Sequence, residues 1–550
     1  MRGGFVACLS ARPQQVERVA DRLRWHRGRA VHHSCDGLEI ASLVDAAEGP
    51  VVETRAGVTR LVHGEAPAPL AQLERTATRF AGFEWDGRTL RASRDALGLA
   101  PLFYRRLSGA VWLATEVAPL VSLQTPILDL EALSARAAFV PLDDRTGWQD
   151  IHRVLPGGAI EIGTSDLGIA TSRYWGPARL LGSYRGSREE GLAEFRERFS
   201  LAVKSCVEAR SGILLSGGLD SGAVAVMTPA SGRGPPHLVH GHFAGLPETH
   251  EEEFAAALAD KVGAPLHTVA GDVSPWDVGA ELDLFGIPYN WFPYGLDEPA
   301  LGHLAAEGIA VALDGHDGDG VLGLRGGEWG ELILEGELGT LASFCRAYGL
   351  RRALRGSASA FVPPWCRPPA LRARTYMQSV ASYFRGPLRA RIVRDDVFRW
   401  RWPSAGWRVR QLQPLLPRST VALEQKELQA ARYGIDLRHP FADRALVDFL
   451  ISLPCAIKCD PGRAKPLLLD ALEGMIPAVL HQRPKSDYQA VIRRRVDAAR
   501  CVEGIRASKI QLPDIDYRRL FDDAARDPQA IPLFLLVNLA RVHEFARRAA

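Results

Sequence analysis

No stretch of the 550 residues is apolar for long enough to serve as a signal peptide or to cross a membrane, so the chain is expected to be cytoplasmic and free of membrane partners. Cysteine is sparse. The eight present include no C-x-x-C pair, and a chain of this size needs no disulfide framework, so they are expected to be reduced thiols. Cys455 and Cys459, four apart with no matching Cys/His pair nearby, read as two small residues in a packed region rather than metal ligands. Strong charge is also missing: a formal net charge of +3, though unevenly placed, gives no reason to propose a wholesale polyanion binder, and no nucleic-acid partner is expected. There is no heptad, tandem repeat or low-complexity tract, and no G-x-x-x-x-G-K-[ST] phosphate loop. What remains, 47% hydrophobic and 24% charged residues over this length, exceeds one ordinary core and predicts at least two packed domains.

Residues 1 to about 178 alternate short apolar runs with Gly, Asp, Pro and Arg punctuation. Phe83 to Ser93 fits two strands joined by an Asp86-Gly87 turn. Further strands are predicted at Val111–Ala114 and Gly158–Ile162, so this half should be rich in antiparallel sheet. A polar join from Gly182 to Arg188 leads into a helical pattern from Glu189 to Glu208.

The pattern then changes. Strands ending at Leu215 and spanning Leu238–Phe243, Leu266–Val269 and Ile309–Leu313 alternate with helical segments, the pattern of a parallel sheet covered on both faces. Two glycine-bearing loops follow strands, at Ser216–Ser221 and at Asp314–Gly320. Parallel sheets bind ligands at the ends of their strands, which predicts that the two loops share one site. Residues 346 to 418 differ again, with sixteen Arg against two Asp, interleaved with Trp365, Tyr376, Tyr383, Phe384, Phe398, Trp400, Trp402 and Trp407. Arginine forks and aromatic faces suit an extended peptide with carboxylates, and they equally suit a solvated arginine-rich helical face.

The loop Ser216-Gly217-Gly218-Leu219-Asp220-Ser221 carries the chemistry. Paired glycines let the backbone curl so that amide N–H groups point inward, and the start of the following helix adds about half a positive charge. Such a cradle suits a diphosphate. The hydroxyls of Ser216 and Ser221 add donors, and Asp220 belongs beside phosphate only if it holds a cation, for which Mg²⁺ is the natural candidate.

This S-G-G-L-D-S loop resembles the pyrophosphate loop of the asparagine synthetase and β-lactam synthetase superfamily, which includes the lasso peptide cyclases. Several motifs fall in family order over nearly the whole chain. The resemblance implies an N-terminal α+β glutaminase-like domain of the N-terminal-nucleophile type over 1–178. It is followed over 189–550 by an α/β parallel-sheet ATP-pyrophosphatase domain with added helices. It assigns Leu215 through Ser221, Gly315 and Lys465 to ATP and pyrophosphate binding. Asp319 in Asp314-Gly315-His316-Asp317-Gly318-Asp319-Gly320 joins Asp220 at magnesium. Tyr433-Gly434-Ile435-Asp436-Leu437-Arg438-His439-Pro440-Phe441-Ala442-Asp443 is similar to the segment that brings an acid, here Asp436, near the reacting centre, with Tyr433 its candidate partner. Arg483-Pro484-Lys485 matches Arg-x-Lys and makes Lys485 the catalytic lysine, a fixed ammonium against the negative charge of adenylation and tetrahedral collapse. The sequence departs from the family at Gly320, where a Glu is usual, and at Asp436, where Glu is commoner.

The first half resembles a glutaminase that has lost its reaction. His63-Gly64-Glu65 is similar to Asn-Gly-Glu, and Arg94 to Tyr104 is similar to Arg-Asp-x-x-Gly-x-x-Pro-Leu-Tyr. The position after the first methionine holds Arg2 instead of the nucleophilic cysteine, however, and Cys8 lies inside an apolar strand. An inert first half implies an amine other than glutamine's, most simply one carried by the substrate. That is the arrangement of lasso peptide cyclases, which adenylate an Asp or Glu side chain of a precursor peptide and close the ring with its N-terminal amine. A leader peptidase and a leader-binding protein are the partners this reading implies. An ammonia-using asparagine synthetase, a β-lactam-forming relative and a non-catalytic nucleotide- or peptide-binding scaffold are the other readings.

Overall fold

The structure, a computed structural model, describes residues 3–12, 14–23, 29–44, 49–64, 66–140, 144–176, 180–246, 250–271, 285–288, 296–322, 328–352, 376–398, 417–481, 483 and 496–549. Two six-stranded antiparallel sheets come first. One runs in the order Ile151–Arg153, Phe103–Leu107, Ala110–Ala114, Gly4–Ser10, Leu38–Val44, Arg29–Cys35. The other runs Ile169–Arg173, Gly158–Gly163, Thr89–Arg94, Ala81–Trp85, Val58–His63, Val51–Arg55. The Asp-Gly hairpin forms as expected: Trp85 faces Leu90, and the Asp86 carboxylate accepts the amides of Arg88 at 2.9 Å and Thr89 at 2.8 Å.

Alternation of side chains splits the strand Gly4–Ser10 between two cores. Phe5, Ala7 and Leu9 meet Phe83, Leu90 and Ile160 between the sheets, whereas Val6 and Cys8 join the core on the other face, with Val16, Val19 and Ala20 of the helix Val16–Ala20. Cys8 is fully buried and its thiol is pushed up by that burial, as a structural cysteine should be.

The second region is a five-stranded, wholly parallel sheet in the order Leu266–Ala270, His237–His242, Ser211–Leu214, Val311–Leu313, Asp436–Arg438. Ile213, Leu238 and Leu313 pack on one face against Val224 and Leu258. Val239, Ala312 and Leu437 pack on the other against Leu301 and Leu304. Strand order reverses on either side of Ser211–Leu214, so the loop after it lies at a topological switch point. The helix Arg188–Cys206 begins with a capping box between Ser187 and Glu190.

Between the two regions runs the helix Pro417–Arg432. Every residue from Val421 to Ala430 is buried, although five of the ten are Glu424, Gln425, Lys426, Glu427 and Gln429. Its charges are matched from both sides. Glu424 accepts from Arg94 at 2.7 Å and Arg153 at 3.3 Å, both from the antiparallel sheets. Lys426 meets Asp297 at 2.8 Å and Asp314 at 3.3 Å on the parallel side.

Most of the Arg- and aromatic-rich segment, including Trp365, Trp400, Trp402 and Trp407, lies outside the described residues. Tyr383 and Phe384 do not offer aromatic faces to a ligand. They are core residues, 5% and 1% exposed, packed with Leu388 and the C-terminal helices. Cys455 and Cys459 are buried free thiols, Sγ atoms 3.5 Å apart, beside Trp329 and Phe344. No helix among the described residues is long and apolar enough to cross a membrane.

Candidate active site

The loop after Ser211–Leu214 turns sharply at Gly217, whose φ is +78° and whose missing Cβ would meet the Glu251 carbonyl oxygen at 2.7 Å. Only glycine fits there. Gly218 is the N-cap of the helix Leu219–Met227, so the loop opens on a helix amino terminus. Ser221 Oγ accepts the Ser216 amide at 3.1 Å and lies 2.9 Å from Ser216 Oγ, which accepts the Gly218 amide at 3.2 Å; the two serines brace the curl. Leu215 anchors it below, its carbonyl accepting from His240 Nδ1 at 2.8 Å. Arg483 is a cation at this loop that the sequence did not assign. It pairs with Glu251, stacks 5.5 Å over Phe254, and its Nη1 lies 3.8 Å from where a Gly218 Cβ would be.

The second loop presses directly on the first. A Cβ on Gly315 would collide with the Ser221 amide nitrogen, and one on Gly318 with the Asp220 carboxylate. This contact brings together the two aspartates read as a cation pair. Asp220 and Asp319 both reach Lys465, whose ammonium donates to Asp220 Oδ2 and lies 2.7 Å from Asp319 Oδ1. Burial works to lower the Lys465 pKa, and the two carboxylates outweigh it and raise it. Lys465 has φ +48°, a left-handed conformation uncommon for a side-chain-bearing residue. Two carboxylates converging on one cation fit a hard divalent ion that takes its remaining ligands from water and phosphate. Among the described residues no group of three or more His, Cys, Asp or Glu could hold a metal alone. Asp319, with a side chain 65% exposed, faces the open side.

The other expected residues are placed differently. Asp436 starts its strand, paired with Val311 at the sheet's amino-terminal end, whereas the loops follow the carboxyl ends. Its carboxylate is buried between Arg79 at 2.8 Å and Arg438 at 2.8 Å. Burial alone would raise its pKa, but the opposing charge of these guanidiniums helps to hold it well below the carboxylate range. Tyr433 precedes that strand and packs with Ala300, Leu301 and Ile435 under Arg432. The structure thus gathers Leu215–Ser221, Gly315, Asp319 and Lys465 at one place and leaves Asp436 and Tyr433 at the other end of the strands. Lys485 lies outside the described residues.

A buried polar cluster underlies the second loop. His439 Nδ1 lies 2.6 Å from Asp314 Oδ1, which also accepts the His316 amide at 3.0 Å. Burial would lower the His439 pKa, yet the Asp314 charge raises it to about 9. Burial pushes His316 down to about 3 and Asp317 up to about 7, so at neutral pH these two do not form a full ion pair at their 3.7 Å separation. His439 therefore contributes stability that is fully present below its unfolded value near 6.5 and is lost as pH rises through about 9. The thermal midpoint should fall between those limits in the parent and much less in His439→Gln. Parallel pH profiles for the two proteins would remove His439 as the cause.

Fold and site together define an α/β protein with a glycine loop at the switch point of a parallel sheet, a second, acidic loop packed on it, and an antiparallel N-terminal region. The chain belongs to the asparagine synthase family, which matches residues 194–509. A Mycobacterium tuberculosis protein with the provisional name asparagine synthetase (glutamine-hydrolyzing) is 25% identical over 491 residues, covering 78% of this chain and 70% of that one. Asparagine synthetase (glutamine-hydrolyzing) 3 of Bacillus subtilis is 35% identical over 69 residues, 12% of this chain and 11% of the relative. Among solved structures, glutamine phosphoribosylpyrophosphate amidotransferase from B. subtilis is 12% identical with a TM-score of 0.22, covering 43% of this chain and 65% of that one. The family is one of ATP-dependent amide-forming ligases.

Proposed function

We propose that this chain is a cytoplasmic, AMP-forming macrolactam synthetase of the lasso peptide cyclase kind. A side-chain carboxylate of Asp or Glu in a precursor peptide attacks the α-phosphorus of ATP and releases pyrophosphate. The peptide's N-terminal amine then attacks the acyl carbon, loses a proton and expels AMP. The observation that carries this reading is the convergence of Asp220 and Asp319 at interlocked loops, one of which opens on a helix amino terminus. Cys8, fully buried with its thiol pushed up, is not disposed to act as a glutaminase nucleophile, which supports an amine supplied by the substrate itself.

In this reading the Gly217–Gly218 curl and the start of helix Leu219–Met227 hold the diphosphate, and Ser216 and Ser221 fix the curl's shape. Asp220 and Asp319 would hold Mg²⁺, which when bound supplies neutralisation of phosphate charge. Lys465, now between the two carboxylates, would be the cation nearest to pair with the phosphates, and Arg483 flanks Gly218. Lys485 stabilises charge at the reacting acyl group. A leader peptidase and a leader-binding protein would work with it.

The test is incubation with Mg·ATP and a peptide bearing a free N-terminus and an internal Asp or Glu. Loss of one water from the peptide, with one AMP and one pyrophosphate released, is the expected result. Asparagine formed from aspartate and ammonium would instead favour the activity that the relatives' names describe. Absence of pyrophosphate exchange with any carboxylate would leave only a binding scaffold.

A further inference from the structure

We infer that Arg79, a residue of the antiparallel N-terminal region, is a positioning residue for the nucleotide loops, acting through Glu427, His439 and Asp314. The inference rests on the reading of those loops as the nucleotide site. Arg79 is nearly buried, its side chain 13% exposed, and it reaches across the boundary between the regions. One guanidinium nitrogen donates to Glu427 Oε2 on the buried polar helix. The other donates to Asp436 Oδ1 at 2.8 Å and to the Leu437 carbonyl at 3.5 Å on the edge strand. A single side chain thus ties that helix to that strand.

Both elements lead to Asp314, the residue that opens the second loop. By the strand, the Asp314 amide donates to the Arg438 carbonyl at 3.2 Å. By the helix, Glu427 Oε1 lies 3.6 Å from His439 Nε2, and the opposite ring nitrogen lies 2.6 Å from Asp314 Oδ1. The imidazole of His439 therefore stands between two buried carboxylates, at 1% exposure, and sits closer to Asp314. Arg79 explains that asymmetry. By engaging Glu427 it satisfies the acid that would otherwise compete for His439, and the ring stays with Asp314. Lys426, 3.3 Å from Asp314 and 2.8 Å from Asp297, holds the same carboxylate from its other side. From Asp314 the chain runs directly into Gly315 and Gly318, which touch Ser221 and Asp220.

If Arg79 is removed, Glu427 remains buried with less compensation, and His439, whose Nε2 is already 3.6 Å from its other oxygen, is drawn towards it. Asp314 then loses its nearest partner and the second loop loses its register against the first. The N-terminal region would in this way add a charge to a network otherwise built from Lys426, Arg438 and His439 of the other half.

Three variants test this: Arg79→Met, Arg79→Lys and the double variant Arg79→Met/Glu427→Gln. Arg79→Met should raise KM for Mg·ATP about tenfold with a much smaller change in kcat, a coupling of ordinary size between linked sites. Arg79→Lys, which keeps the charge without the fork, should fall between. The double variant should recover most of the lost affinity, because the competing carboxylate is gone. A merely structural Arg79 would instead lower the thermal midpoint, leave KM of the folded protein unchanged and gain nothing in KM from Glu427→Gln. Should Arg79→Met fail to fold, Arg79→Lys and the double variant carry the same comparison. Calorimetric binding of Mg·ATP separates this inference from the reading beneath it. A parent protein that binds no nucleotide overturns both, whereas parent and Arg79 variants binding equally overturn the role of Arg79 alone.

Discussion

Replacing Asp220 with alanine is expected to reduce pyrophosphate release to background, a loss of roughly a thousandfold or more, while the protein stays folded. Asp220 occupies the junction of everything the site has assembled. It belongs to the first turn of helix Leu219–Met227, its carboxylate takes the Lys465 ammonium, and Gly318 is pressed against it. With alanine, Asp319 is left without its partner acid at the proposed cation position, and its side chain is largely in water. Asp220→Asn separates charge from shape, since it fills the same volume against Gly318 without the negative charge, and it should be nearly as inactive. Thermal denaturation run alongside establishes that the loss is chemical. Turnover within tenfold of the parent for Asp220→Ala would falsify the assignment of these loops to the nucleotide.

The largest effect on stability is expected from Glu424→Ala. Glu424, Arg94 and Arg153 are 0%, 0% and 2% exposed at the side chain, so alanine leaves two guanidiniums inside the protein with their shared acid removed. Breaking a buried ion pair from one side typically costs about 3–5 kcal/mol, far more than a surface pair is worth. Arg94 keeps its bonds to the carbonyls of Val154 and Gly98, which argues for the lower part of that range. Glu424→Gln, retaining one acceptor, should be milder. The measurement is the midpoint of thermal or urea unfolding, and a midpoint indistinguishable from the parent would show that the triad contributes nothing net.

The two loops were legible in the sequence because their chemistry is local. A glycine pair after an apolar strand dictates a backbone curl whatever lies elsewhere, and alternating strands and helices dictate a parallel sheet around it. The hairpin at Asp86-Gly87 and the helix from Arg188 were readable for the same reason, through turn and cap residues close in sequence. The buried helix Pro417–Arg432 was not. Glu-Gln-Lys-Glu reads as a solvated face, and the partners that make its burial tolerable stand as far away as Arg79, Arg94 and Arg153. Asp436 was expected near chemistry from its motif. The strand register, which no local pattern reveals, carries it to the other end and into the hands of Arg79 and Arg438. Arg483 went unassigned because its contact with Glu251 spans more than two hundred residues.

One consequence follows from the glycines at 315 and 318. The second loop lies so close to Ser221 and Asp220 that not even a methyl group could be interposed. Surfaces packed this closely leave little room for one to shift without the other. On the proposed reading, any shift of the first loop that frees the diphosphate is passed on to Asp319, so that release of one product and rearrangement of the neighbouring acid share a single step.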